Sequence, residues 1–104
     1  MSSKPGTLIQ IVRNDYSSTN VTTGAYVELV SALGSGMSEI DIFDSSGNTM
    51  ILAYGAAGSE VDWMHIMPGG NGRGLAHLPE GVRLSVKAVS ANSTSGELTI
   101  NIWG

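Results

Sequence analysis

The chain has 104 residues, a formal net charge of −4, 41% hydrophobic and 13% charged residues, and no cysteine. That length holds one domain with one core, and the hydrophobic share excludes a disordered chain. The five basic residues Lys4, Arg13, Arg73, Arg83 and Lys87 are scattered, which excludes the clustered positive stripe of a nucleic-acid binder, and without cysteine neither a disulfide nor a thiolate zinc site can hold the fold.

Turn residues and period-two alternation dominate from the N-terminus onward, and no stretch keeps a helical period. Residues 1–6 (Met1, Ser2, Ser3, Lys4, Pro5 and Gly6) carry the polar Ser2, Ser3 and Lys4 and end in a Pro-Gly breaker, so they read as an N-terminal arm; residues 7–104 read as a single domain. Thr7–Val12 is the first predicted strand. The polar loop Asn14–Gly24 separates it from the second, Ala25–Val30. The third, Met37–Phe43, sets Ile40 and Ile42 against Glu39 and Asp41 on the opposite face. Asp44-Ser45-Ser46-Gly47-Asn48 then reads as a hairpin loop with Gly47 at positive φ, returning the chain along Thr49–Tyr54.

The small-residue run Gly55–Ser59 leads to a fifth strand, Val61–Ile66. Pro68-Gly69-Gly70-Asn71-Gly72 is the densest turn signal, followed by a short strand Arg73–Leu78 that stops at Pro79. Val82–Val89 points Val82, Leu84, Val86 and Ala88 inward and Arg83, Ser85 and Lys87 outward. After the polar turn Ala91–Gly96, the last strand opens at Glu97 and points Leu98, Ile100 and Ile102 to the core. About eight short strands with a turn between each pair predict an all-β, antiparallel β-sandwich, jelly-roll-like in strand number.

Candidate chemistry is sparse. The Gly-rich stretch Pro68–Gly74 lacks the lysine, the Ser/Thr and the helix of a phosphate loop, and is read as a flexible tip that binds no nucleotide. His65 and His77 share strand faces with apolar neighbours (Val61 and Trp63 for His65, Leu75 for His77) and read as core or interface histidines. Glu60, Asp62 and Glu80 are donors without metal-ligand spacing. Glu39, Asp41 and Asp44 form the densest acidic group. Two carboxylates on one strand could suit a glycosidase pair or a weak calcium site, but they more often mark a solvated face. The serines lack a nucleophile elbow, and the sequons at Asn20 and Asn92 carry meaning only behind a secretory signal. These residues predict no catalytic group, no cofactor and no metal site. Trp63 reads as core. Trp103, one residue from the end, points away from the Leu98–Ile100–Ile102 face and is either tucked under a loop or set in an interface, where Trp is enriched.

The runs Ile40–Gly47, Leu52–Gly55, Ile66–Gly70, Pro79–Ala88 and Gly96–Asn101 together resemble the small β-sandwich virion proteins of tailed bacteriophages. The resemblance spans residues 38 to 103 and implies a non-enzymatic structural role: capsid decoration or cement, or alternatively a part of the head–tail connector, tail or fibres. It implies other virion proteins as partners. The thin core, the few charges and the outward Trp103 themselves point to a homo-oligomer, a trimer first. The scattered charges, the lack of an apolar span and the polar start point to assembly in the host cytoplasm with neither nucleic acid nor membrane as a partner. The low charge fits such association, since few charges oppose self-contact. No apolar run approaches a membrane span, and the polar start is no signal peptide. Trp103 and the arm residues Met1, Ser2, Ser3, Lys4 and Pro5 are the expected interface residues. Two other classes stay open: a carbohydrate-binding module using Tyr16, Tyr26, Tyr54 and Trp103, and a cupin-like metalloenzyme, for which two separated histidines are few.

Overall fold

A computed structural model describes residues 7–32, 39–67, 71–75 and 81–103, with the backbone alone at 39 and 71–75. The strands are β1 (Leu8–Asp15), β2 (Val27–Val30), β3 (Glu39–Asp44), β4 (Met50–Tyr54), β5 (Val61–Ile66), β6 (Asn71–Leu75), β7 (Leu84–Ala88) and β8 (Glu97–Trp103). The described residues contain no helix. Two four-stranded antiparallel sheets result, in the orders β1-β8-β3-β6 and β2-β7-β4-β5. This is an all-β arrangement compatible with a β-sandwich. The expected arm, Met1–Gly6, lies outside the described residues, as do Pro68, His77 and Glu80.

Alternation explains why these segments pair as they do. On β8, Leu98, Ile100 and Ile102 are buried, while Thr99, Asn101 and Trp103 take the other face. Ile100 stands opposite Val12 on one side and Ile42 on the other, so three β-branched residues meet in one inward row. The second sheet repeats the pattern, with Leu52 opposite Val86 and Met50 opposite Ala88. The inward rows of both sheets join Tyr16 and Val21 in one hydrophobic cluster. Each fully buried Leu or Ile contributes roughly 1.5–3 kcal/mol, enough for the shared core to hold the sheets together.

Several expected boundaries and connections differ. β1 runs past Val12 to Asp15 because β8 continues to pair with it, Arg13 to Thr99 and Asp15 to Glu97. β7 is shorter than Val82–Val89, matching the length its neighbours offer. Asn71 and Gly72, expected in a turn, belong to β6 opposite Phe43 and Ile42, so residues 71–74 are ladder and not a flexible tip. The Asp44–Asn48 segment is not a hairpin: β3 and β4 lie in different sheets, and the segment carries the chain across between them. Gly47 does hold the expected positive φ, at 79°.

β5 departs from simple alternation. Ile66 and Met64 pair with the inward Met50 and Leu52, but the register then shifts and Asp62 pairs with Ala53. Trp63 is the extra residue of this bulge, so Val61, Trp63 and His65 do not share one inward face. His65, expected in a core or an interface, is exposed opposite Ile51, whereas Trp63 packs partly against the core as expected.

Two predictions follow from this packing. Ile100→Ala, at the centre of the fully buried row, should cost about 2–5 kcal/mol in a urea titration. Gly96 has φ 89°, and a Cβ there would sit 2.5 Å from the Ser45 carbonyl oxygen, whereas one on Gly47 would meet nothing within 4 Å. Gly47→Ala should therefore cost only the left-handed strain of about 1–2 kcal/mol, and Gly96→Ala clearly more in the same titration, because backbone must move.

Candidate functional site

Three surface regions carry the chain's polar and aromatic side chains. The first is one end of the molecule, where the β1–β2 loop, the β3–β4 crossover and the entry to β8 meet. Tyr16 is fully buried there, and its hydroxyl donates to Asp44 Oδ1 at 2.7 Å. Ser46 Oγ donates to Asp44 Oδ2 at 2.6 Å, so both carboxylate oxygens are bonded. The Tyr16 N–H bonds the Gly96 carbonyl, the Ser45 N–H bonds the Glu97 carbonyl, and the Glu97 N–H returns to Ser45 Oγ. Burial, and then the bond to the Asp44 carboxylate, push the Tyr16 phenol far above its ordinary range. Beside this clamp lies an open cleft of about 230 Å³ lined by Phe43, Asp44, Ser45, Glu97 and Thr99.

The second region is the outer face of the β1-β8-β3-β6 sheet. Its rows run Arg13–Thr99–Phe43, Ile11–Asn101–Asp41 and Leu8–Trp103–Glu39. Leu8, Ile9, Ile11 (46%) and Phe43 (45%) are exposed, four of the seven large apolar side chains left open among the described residues. Trp103 is half-buried on this face, and its indole N–H donates to Asp41 Oδ2 at 3.0 Å. The other expected interface residues, Met1 to Pro5, lie outside the described residues. Asp41 and Asp44, of the acidic group, do not form a solvated face. Both are buried, because Trp103 reaches the first and Tyr16 the second.

The third region is the outer face of the β2-β7-β4-β5 sheet, whose own side chains close its middle while Val61, Met67 and Val89, on or just past β5 and β7, stay exposed. Tyr26, just ahead of edge strand β2, donates its hydroxyl to Asp62 on the opposite edge strand β5. On the two strands between them, the small residues Ser85 and Ala53 stand opposite each other. Both are fully buried although they belong to the outer face. The bond to Asp62 raises the Tyr26 phenol above its usual range. Lys87 Nζ sits 4.5 Å from the centre of the Tyr26 ring, a cation–π contact. Arg83 ties Glu28 at 2.9 Å to Glu60 at 3.0 Å. A bond from its own backbone N–H, reinforced by Arg83, holds the Glu60 carboxyl below its ordinary range. The Ser85 hydroxyl lies under this cover without a hydrogen-bond partner.

These placements sort the candidates. Among the described residues no three His, Asp or Glu side chains are grouped to hold a metal ion, and Glu60 and Asp62 are engaged by Arg83 and Tyr26. Of the aromatic residues considered for sugars, Tyr16 is fully buried and Tyr54 packs against the core. Asn92, the second sequon asparagine, accepts the Thr23 N–H through Oδ1. Phe43 and Glu97 were not singled out by the sequence, although Phe43 alternates with Ile40 and Ile42, which is the signal that sets it outward. Compared with known proteins, the chain matches no family model, and no curated protein or solved structure is significantly similar to it.

Tyr16→Phe should lower stability by about 1–3 kcal/mol, because it deprives a buried carboxylate of one donor. The pH dependence has a definite sign. Unfolded tyrosine ionises near pH ~10 and Tyr16 only well above that, so the unfolded state loses its proton first and stability falls as pH rises past about 10. Urea midpoints measured across that range should fall less steeply for Tyr16→Phe than for the wild type.

Proposed function

We propose that the protein is a non-enzymatic virion structural protein of a tailed bacteriophage, most simply a capsid decoration or cement protein that works by association. The observation that carries this reading is the contrast between the two outer faces. The middle of one is covered by its own ion pairs and by Tyr26, with Met67 and Val89 exposed only past the strand ends. The other leaves Leu8, Ile9, Ile11 and Phe43 open beside a half-buried Trp103. Contiguous exposed apolar surface favours a protein partner. On this reading the open face, with Trp103 and the segment Met1–Pro5, contacts copies of the chain and a larger shell.

The finer fold assignment belongs to the same proposal. Sheet orders β1-β8-β3-β6 and β2-β7-β4-β5 interleave early and late strands in both sheets, which supports an eight-stranded jelly roll, an architecture common in capsid and lectin domains. A place in the head–tail connector, tail or fibres would use the same open face. The carbohydrate-binding reading has less support, since Tyr16 is buried and Tyr26 is held by Asp62.

A reconstruction of the parent particle tests the proposal. The expected result is density for this chain on the outside of the head or tail, with the Leu8–Ile11 and Phe43 face against a neighbouring protein. Copies that present that face to solvent, or a particle without the chain, would refute it.

A further inference from the structure

We infer that the Phe43–Glu97 cleft is a receptor for Arg13 of a second copy of this chain, and that two copies dock reciprocally through the outer faces of their β1-β8-β3-β6 sheets. This deepens the proposed role and rests on it only for its biological setting, since the contact itself follows from the residues on one face.

The cleft has the composition of a cation receptor. An aromatic ring attracts a guanidinium over its face, and Phe43 is 45% exposed at the cleft wall. Glu97 lines the same cleft, is exposed, and stands directly opposite Asp15 across the β1–β8 ladder. Like charges opposed across strands are unfavourable until a cation joins them. Asp15 is occupied by its own loop, accepting both the N–H and the hydroxyl of Ser17. Glu97 has only a long contact from Thr99 Oγ1, at 3.4 Å. Asp44, also in the lining, is fully engaged by Tyr16 and Ser46.

The cation that fits is on the same face. Arg13 is exposed and makes no ion pair with any described residue. The other described cations are committed, Arg83 to Glu28 and Glu60 and Lys87 over Tyr26. Arg13 and Phe43 flank β8 in one row, both opposite Thr99. At the usual strand spacing they lie roughly 10 Å apart. A two-fold axis parallel to β8, lying above Thr99 in the plane between the two facing sheets, therefore sets Arg13 of each copy over Phe43 and beside Glu97 of the other. Around that pair of contacts, Ile11 and its apolar neighbours on β1 are covered by the facing sheet. Donor and receptor on one face make the contact reciprocal and close it at two copies. A three-fold ring would need them on different sides of the molecule.

Sedimentation of the full chain over the micromolar range, with charge reversals, tests this. The expected wild type shifts from the 10.8 kDa of the single chain to twice that mass as concentration rises. Arg13→Glu and Glu97→Arg alone should each weaken association at least tenfold, the scale of an interface hot spot. An equimolar mixture of the two variants should associate again, because each reversed site meets its complement only on the other chain. A wild type that stays monomeric, single reversals that leave association unchanged, or a mixture that fails to recover would each overturn the inference. Incorporation into the parent particle is scored separately: a monomeric chain that still enters the particle overturns the reciprocal contact and leaves the structural role standing.

Discussion

A buried carboxylate is tolerable only when its oxygens are hydrogen-bonded, and Asp44 meets that condition through two loops at once. Tyr16 reaches it from the β1–β2 loop and Ser46 from the β3–β4 crossover. The third loop at this end is locked to the same group. Gly96 takes a positive φ beside the Ser45 carbonyl, its own carbonyl accepts the Tyr16 N–H, and Glu97 exchanges bonds with Ser45. No side chain larger than hydrogen fits at Gly96 without moving that backbone. The clamp thereby fixes where β8 starts relative to β1 and β3. Once that start is fixed, Thr99 must fall between Arg13 and Phe43, and Trp103 must fall beside Asp41. The layout of the open face is thus a consequence of a polar contact buried at the end of the molecule.

The two outer faces handle their polar groups differently. On the β2-β7-β4-β5 sheet, Arg83 joins Glu28 to Glu60, Lys87 lies over the Tyr26 ring, and the Tyr26 hydroxyl donates to Asp62. The arrangement leaves one cost, the orphaned Ser85 hydroxyl, on the order of 1–3 kcal/mol for a buried group without a partner. Tyr26 spans from the short edge strand β2 to the other edge, so it braces the least extensive strand of the fold. The β1-β8-β3-β6 sheet shows the opposite tendency. Its terminal strand β1 carries three exposed aliphatic side chains, and an arginine next to them has no ion pair among the described residues. An edge strand of that kind is open to further pairing or packing unless something covers it.

Much of this architecture is legible in the sequence wherever one local rule decides the outcome. Leu98, Ile100 and Ile102, or Leu84, Val86 and Ala88, announce their inward face because a strand has period two. The same rule fails at Trp63, where one extra residue reverses the parity and turns His65 outward. Turn residues in Asp44–Asn48 mark a change of direction but not which strand the chain pairs with next, so a crossover looks like a hairpin. The buried carboxylates are the least legible feature. Asp44 depends on a tyrosine 28 positions away and Asp41 on a tryptophan 62 positions away, and no local pattern links them. The outward position of Phe43 follows from alternation, yet its cleft exists only because Glu97 arrives from the other end of the chain.

The central claim is that one outer face is built for association while the middle of the other is covered by its own side chains. Hydroxyl-radical footprinting of the chain, free and in its assembled state, tests that most directly. The account predicts protection on assembly at Leu8, Ile9, Ile11 and Phe43, with Tyr26, Ile51 and His65 labelled equally in both states. Protection confined to Tyr26, Ile51 and His65, with Ile11 and Phe43 unchanged, would contradict it.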